Sequence, residues 1–313
     1  MSVLILTHPS SHQHVTPPGH PERVARIETV ERVLHRAEFD HLPRREAEAA
    51  DDDALKRAHT DAYVEGIKRA APQSGSASLD PDTHMSPGSL EAARRAAGAN
   101  IDAVEAVAKG EVRAAFCAVR PCGHHAEKDR AMGFCLFNNV AVGARHATDV
   151  LGLSRVAIVD FDVHHGNGTQ DIFWEDGRVL FASSHQMPLY PGTGAAHETG
   201  VGNIVNAPLR PMSGGRDMRA AYEGQILPAL RAFAPELVMI SAGFDAHVND
   251  PLANLNWLDS DFAWVTREIC KVAAECCGGR VVSTLEGGYD LDGLAESLTA
   301  HLHELIAHAE AEG

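Results

Sequence analysis

The feature that most constrains this chain is a repeating order. A short apolar run is followed by a cluster of acids, imidazoles and glycines, and then by a longer stretch of helical period. The runs fall at 3–6, 114–119, 156–161, 179–182, 237–241 and 281–285. They do not alternate cleanly between apolar and polar residues, which suits central parallel strands covered on both faces. The helical stretches lie at 21–36, 89–109, 138–151, 216–233, 259–277 and 291–308. Strands alternating with helices imply right-handed crossovers, and so an α/β fold: a three-layer α/β/α arrangement around a central, mainly parallel sheet. AAPQSGSASLDPD (70–82) reads as a surface loop rather than a linker, and no internal repeat is visible, so 1–313 is expected to be a single domain. In such sheets ligands bind beyond the carboxyl ends of the strands. RPCGHHAE, DVHHGNG, SSHQMPLYPGTG, AGFDAH and EGGYD each follow one of the runs. Five strand ends bearing reactive side chains should therefore converge on one cleft.

Composition narrows the classes of function. With 44% hydrophobic residues the chain can bury a sizeable core, and none of its apolar runs approaches the roughly 18 to 20 residues that span a membrane. MSVLILTHPSS lacks a basic flank and a small-residue cleavage site, so it is not a convincing signal peptide. A net charge of −16 argues against nucleic acid as the main partner and fits solubility or a cationic ligand. Six cysteines form no CxxC pair, which speaks against a structural zinc or a thioredoxin-type site and for free buried thiols in a reducing cytoplasm. Of the nineteen histidines, His301, His303 and His308 read as part of a solvated tail helix. Those of HPSSHQHVTPPGH (8–20) read as surface residues on a rim loop, and PGTG (191–194) lacks the Lys-Ser/Thr of a phosphate loop and reads as a turn.

The chemistry sits in DFDVHHGNG (160–168). Asp160, Asp162 and His164 are spaced by two, so an extended segment points them the same way. Asp162 and His164 can grip one ion, and Asp245 of AGFDAH can join from another strand. Three protein ligands with an open fourth position describe a catalytic metal site. Taken alone, an aspartate after a strand is ordinarily a helix cap and a single histidine an ordinary core or surface residue; the combination favours metal. Zinc is the expected ion, though Fe(II) or Co(II) also suits N/O ligands. His124 and His125 can line one wall and exchange protons near neutrality, with Asp160 and Asn167 as orienting partners. The bland alternative is a pair of histidines capping a turn. Tyr289 follows two glycines that let the chain bend sharply, so its phenol can reach a cleft and donate to an oxyanion; alternatively it is a core tyrosine opening the last helix.

Taken together, RPCGHHA, MGFCLFNNVAVGA, VDFDVHHGNGTQDIF, YPGTG, SAGFDAH and LEGGYD resemble the histone deacetylase superfamily of the arginase–deacetylase fold. GHPERVARI (19–27) and SPGSLEAA (86–93) look like its bacterial and class II-like members, including acetylpolyamine amidohydrolases. The resemblance implies a zinc-dependent amidohydrolase that removes acetyl or other acyl groups from amines such as acetyl-lysine. It implies Asp162, His164 and Asp245 as zinc ligands. It makes His124 and His125 the catalytic pair, with Asp160 behind the first and Asn167 behind the second, where some members have Asp. Tyr289 becomes the oxyanion donor, and Gly133, Phe134 and Tyr190 walls of a narrow tunnel. It further implies a structural potassium ion on Asp160, Asp162 and His164, with Ser183 and Ser184 nearby. A homodimer or homotetramer is plausible by the same analogy.

Two rivals have distinct signatures. A ureohydrolase of the same fold would need a second carboxylate where His165 stands, and two metal ions. A module that binds acylated amines without hydrolysing them would not need the histidine pair and Tyr289. For the substrate, Leu252 falls about where an acid would gate a polyamine enzyme, which disfavours that specificity. Asp80 and Asp82 can instead supply carboxylates at the rim, or form only a solvated turn.

Overall fold

A computed structural model describes residues 2–311. Its main sheet has eight strands, all paired in parallel, in the order β2-β1-β5-β10-β9-β6-β7-β8. These are β1 (Val3–Thr7), β2 (Arg44–Glu46), β5 (Ala114–Cys117), β6 (Val156–Asp160), β7 (Val179–Gln186), β8 (Ile204–Leu209), β9 (Leu237–Ala242) and β10 (Val281–Leu285). A separate antiparallel ribbon joins β3 (Ala77–Ser78) to β4 (His84–Met85), so the segment read as a plain loop carries a short strand.

The strands lack alternation because each feeds two cores. Val3 and Ile5 face one hydrophobic cluster, Leu4 and Leu6 the other, and Ala157 and Val159 likewise oppose Val156 and Ile158. On the first face lie α1 (Val24–Leu34), α7 (Gly215–Ala221), α8 (Leu227–Phe233), α9 (Asp259–Cys277) and α10 (Leu291–Glu310). On the second lie α2 (Asp52–Lys56), α3 (Asp61–Ala70), α4 (Ser89–Ala108), α5 (Asn139–Arg145) and α6 (Asn167–Phe173). The result is three layers.

The helix ends carry the expected chemistry. Asn138 caps α5 by accepting from the N–H of Ala141, and Asp290 caps α10 by accepting from Gly293. The stretch read as one helix over 216–233 is α7 and α8 joined through a π-helical turn at Tyr222–Ile226. His301 corrects the reading of α10 as a solvated tail: its position in the period of Leu294, Leu298, Leu302 and Leu305 puts it on the core face, fully buried. Thr266 donates to the carbonyl of Phe262, so its Oγ1 accepts from His301 Nδ1 at 2.6 Å, and His301 Nε2 is left to accept from Ser283 at 2.8 Å. The 8–20 segment needs a similar correction, because His14 is buried against Ser89 rather than on the surface.

Candidate active site

The carboxyl ends of β5, β6, β9 and β10 meet around one cavity, as strand ends at the open edge of a parallel sheet do. From the end of β6, the carboxylate of Asp162 and the imidazole of His164 reach a common point, and Asp245 arrives from beyond β9. Their ligand atoms all lie within 4.8 Å of one another. His164 Nδ1 stands 3.1 Å from both Asp162 Oδ1 and Asp245 Oδ2. The backbone holds the carboxylates in place: Gly287 N–H donates to Asp162 Oδ2 at 2.8 Å and Val163 N–H to Asp245 Oδ1 at 2.9 Å.

These residues fit a single cation. Both carboxylates are buried, at 1% and 0% exposure, so each needs a partner positive charge. Burial, then the charge of Asp162, pushes the Asp245 carboxyl above its ordinary range, which is the strain a cation relieves. The space around them is kept by glycine: a Cβ at Gly243 would lie 2.0 Å from Asp162 Oδ2, and one at Gly287 would lie 2.2 Å from Asp245 Oδ2. One imidazole and two carboxylates suit zinc and neighbouring divalent ions.

His124 and His125 stand beside this cluster, their ring centroids 4.0 Å apart. Their partners differ. His124 Nδ1 is 2.9 Å from Asp160 Oδ2, whereas His125 Nδ1 is 2.7 Å from the amide oxygen of Asn167. The Asn167 amide nitrogen donates to Glu127 at 2.7 Å, which fixes its orientation. An amide oxygen only accepts, so His125 carries its proton on Nδ1 and keeps a lone pair on Nε2. Burial disfavours the imidazolium at both positions. At His124 the carboxylates of Asp162 and Asp160 outweigh it and raise the ring well above its ordinary value. At His125 burial and the neighbouring His124 and His164 hold the ring well below it.

Tyr289 closes the other side. Gly288 adopts φ +120°, a conformation that only glycine takes readily, and this swings Tyr289 back over the site. Asp250 accepts its backbone N–H at 2.8 Å, and the Arg26 guanidinium lies 4.9 Å from its ring centroid. Burial pushes the phenol well above its usual value, so it remains a donor.

A cavity of about 230 Å³ leads to these groups, lined by Asp82, His125, Gly133, Phe134, His164, Leu189, Tyr190, Leu252 and Tyr289. Phe134 stands edge-on to Tyr289 at 5.9 Å, and Tyr190 to His125 at 5.2 Å, giving two aromatic walls. Gly133 has φ +56° and no room for a Cβ, which would lie 2.4 Å from the His125 ring. His20 of the rim loop packs on Phe134 at 4.7 Å. A wider cavity of about 630 Å³ shares Leu252 and Tyr289 with the first.

The remaining sequence candidates lie outside the cavity lining. His165 turns away from the carboxylates to Thr193 at 2.7 Å and Gln170 at 3.1 Å. Ser183 pairs in register with Asp160, and the hydroxyls of Ser183 and Ser184 contact His185 and Tyr222. Several residues escaped sequence reasoning. Glu286 accepts from the N–H groups of Gly123 and His124, and burial raises its carboxyl to about 7. Arg26 donates to the carbonyls of Glu286 and Gly288, both at 2.6 Å, and so braces the bend before Tyr289. Glu286 lies inside a motif that drew attention, but nothing in its spacing signalled a role.

Two carboxylates and an imidazole that could hold a cation, two differently partnered imidazoles and a phenol thus meet at the carboxyl edge of a parallel sheet, an arrangement suited to hydrolytic chemistry. The sequence comparisons agree. The histone deacetylase domain model matches residues 20–305, and the chain belongs to the histone deacetylase family. It is 38% identical to rice histone deacetylase 10, chloroplastic, over 301 residues, covering 90% of this chain and 68% of that one. It is 37% identical over 296 residues to a probable deacetylase of Archaeoglobus fulgidus, covering 92% and 82%. The structure superposes on the HD domain of HDA15 with a TM-score of 0.91 at 34% identity, over 97% of this chain and 90% of that one. Among the described residues no helix is long and apolar enough to cross a membrane.

Proposed function

We propose that the chain is a zinc-dependent deacetylase that hydrolyses acyl amides of primary amines, with acetyl-lysine as the model substrate. The observation that carries this reading is the meeting of Asp162, His164 and Asp245 with His124, His125 and Tyr289 at the end of one aromatic-walled cavity. The ion held by Asp162, His164 and Asp245 would supply Lewis acidity towards the amide carbonyl and the attacking water. His125 takes the water's proton on Nε2, because Asn167 keeps the other nitrogen protonated. His124, paired with Asp160, stays protonated and lends positive charge to the developing oxyanion. Tyr289 donates its phenolic proton in a hydrogen bond to the same oxyanion. His125 then returns its proton to the departing amine, giving a carboxylate and a free amine. Phe134 and Tyr190 hold an extended alkyl chain between their faces. Backbone carbonyls of Asp160, Asp162 and His164, beside Ser183 and Ser184, form a structural potassium site in the same reading. Six free cysteines fit a reducing compartment.

Asp82, which lines the cavity along with Leu252, favours a cationic or peptide substrate. The test is a panel on zinc-loaded protein: acetyl-lysine peptides, free acetyl-lysine, acetylpolyamines and longer acyl-lysines, compared by kcat/KM. Acetyl-lysine substrates are expected to lead. Acetylpolyamines in the lead would move the assignment to a small-molecule amidohydrolase. Hydrolysis of none of them by fully metallated protein would overturn it.

A further inference from the structure

We propose that Cys122, Cys135 and Glu286 form a second metal site, for a thiophilic divalent cation such as zinc, separate from the Asp162–His164–Asp245 centre. The two sulfurs lie 3.4 Å apart, and with a carboxylate oxygen of Glu286 their ligand atoms all fall within 4.8 Å of one another. A tetrahedral zinc with Zn–S near 2.3 Å sets neighbouring ligand atoms roughly 3.5 to 3.8 Å apart, so little movement is required. The carbonyl oxygen of Gly133, 3.3 Å from Cys135 Sγ and 3.9 Å from Cys122 Sγ, offers a fourth donor.

An orphaned atom of the same carboxylate is an independent sign of a missing partner. Glu286 is fully buried, and its Oε2 accepts from Gly123 N–H at 2.6 Å and His124 N–H at 3.2 Å, while its Oε1 is buried with no hydrogen-bond partner. A buried carboxylate oxygen without a donor is rare and costly, and a bound cation removes the cost.

The surrounding charge fits a divalent ion. Glu22 lies between the guanidiniums of Arg26 and Arg120, all three fully buried. One carboxylate against two guanidiniums leaves one positive charge uncompensated, and Arg26 reaches from it to the Glu286 carbonyl at 2.6 Å. The ionised Glu286 carboxylate balances that charge without metal, and a divalent ion on two thiolates and the carboxylate leaves the same one net negative charge, so its binding disturbs no balance. The donor sets also separate the ions: oxygens and one imidazole at the first site, sulfurs and oxygen here, where softer ions are preferred. No CxxC spacing announces the pair, because the cysteines stand thirteen positions apart and the fold alone joins them. The site lies behind Gly133 of the tunnel wall and shares Glu286 with the backbone of His124, so its occupant bears on the catalytic pair.

The experiment is a cobalt(II) titration of reduced, metal-free, full-length protein, read by thiolate-to-cobalt charge-transfer absorption and by metal analysis. The expected result is two equivalents bound, one with the thiolate band. Cys122→Ser/Cys135→Ser should lose that band and one equivalent, and Glu286→Gln should weaken binding of the same equivalent. Asp245→Ala should keep the band while losing the other equivalent, which separates this proposal from the deacetylase reading. Cys276→Ser/Cys277→Ser and Cys117→Ser/Cys270→Ser should also keep it, which leaves Cys122 and Cys135 as its source even where the first double variant fails to fold. Absence of the band in the wild-type protein overturns the proposal. So does its survival in Cys122→Ser/Cys135→Ser, its loss in Cys276→Ser/Cys277→Ser, or a second equivalent bound without it.

Discussion

Two buried charge clusters stand at the same edge of the sheet, and they are built on opposite principles. In the first, Glu22 receives the guanidiniums of Arg26 and Arg120 on its two oxygens, so the protein supplies its own cations. In the second, Asp162 and Asp245 are as deeply buried, yet their hydrogen-bond partners among the described residues are backbone N–H groups and His164, with no lysine or arginine. The first cluster pairs its carboxylate with the protein's own guanidiniums and braces the backbone that carries Tyr289. The second brings two carboxylates together with imidazoles as their nearest cationic groups, which leaves room for an added cation. The comparison separates a structural ion cluster from a binding site by asking where the counter-charge comes from.

Substitution at the two clusters should therefore act in opposite directions on the metal-free protein. Glu22→Gln leaves two buried guanidiniums short of a partner and is expected to cost about 3–5 kcal/mol, measured by denaturant unfolding. Asp245→Asn keeps an oxygen for Val163 N–H but removes one of two repelling carboxylates. Its metal-free stability should be unchanged or higher, while tight zinc binding is lost on dialysis. Equal destabilisation by both changes, or metal retained by Asp245→Asn, would break the comparison.

In the proposed mechanism Tyr289 depends on the first cluster for position and on the second for its task. Removing only its hydroxyl should leave both clusters intact. Tyr289→Phe is expected to lower kcat by roughly 10² or more, equivalent to about 2.7–4 kcal/mol of lost oxyanion stabilisation, with zinc affinity and unfolding midpoint close to wild type. Near-normal turnover would remove the phenol from the mechanism. Loss of zinc along with activity would make Tyr289 part of the scaffold instead.

The same contrast explains what could be read from sequence. The Asp162–His164–Asp245 cluster was legible because Asp162 and His164 stand two positions apart just past one apolar run, although the chain bends there rather than staying extended, and because apolar runs mark the strand ends that bring in Asp245, His124 and Tyr289. The Glu22–Arg26–Arg120 cluster was not, since single charges on α1, on the loop before it and after β5 carry no common spacing and meet only in the fold. Edge strands were missed for a related reason. In β2 all three residues, Arg44, Arg45 and Glu46, are exposed, so no apolar run marks it. In β8, Asn206 and Pro208 interrupt the run, which only an edge position tolerates. His301 was read by residue type, as a polar tail residue, although its place in the helical period already set it on the buried face.

That last residue gives the smallest test, and it extends the comparison to a buried group that avoids charge altogether. His301 has only hydroxyl hydrogen-bond partners, Thr266 and Ser283, and burial lowers its pKa to about 3. In the unfolded chain a histidine titrates near 6.5, so as pH falls below that value the unfolded state binds a proton that the native state refuses. Stability is present in full above about pH 6.5 and is lost as pH falls towards 3, at up to about 1.4 kcal/mol per pH unit for this one group. His59 and His185, each lowered to about 4 first by burial, add to the same slope. Glutamine at position 301 keeps a donor and an acceptor but cannot titrate. His301→Gln should therefore change stability at pH 7 only modestly, yet flatten the fall between pH 6.5 and 5 by close to one proton's worth. Urea unfolding of both proteins across that range reads the difference directly. Parallel curves would mean that His301 is protonated in the native state, and that a third buried charge, neither self-paired nor metal-paired, has gone unrecognised in the core.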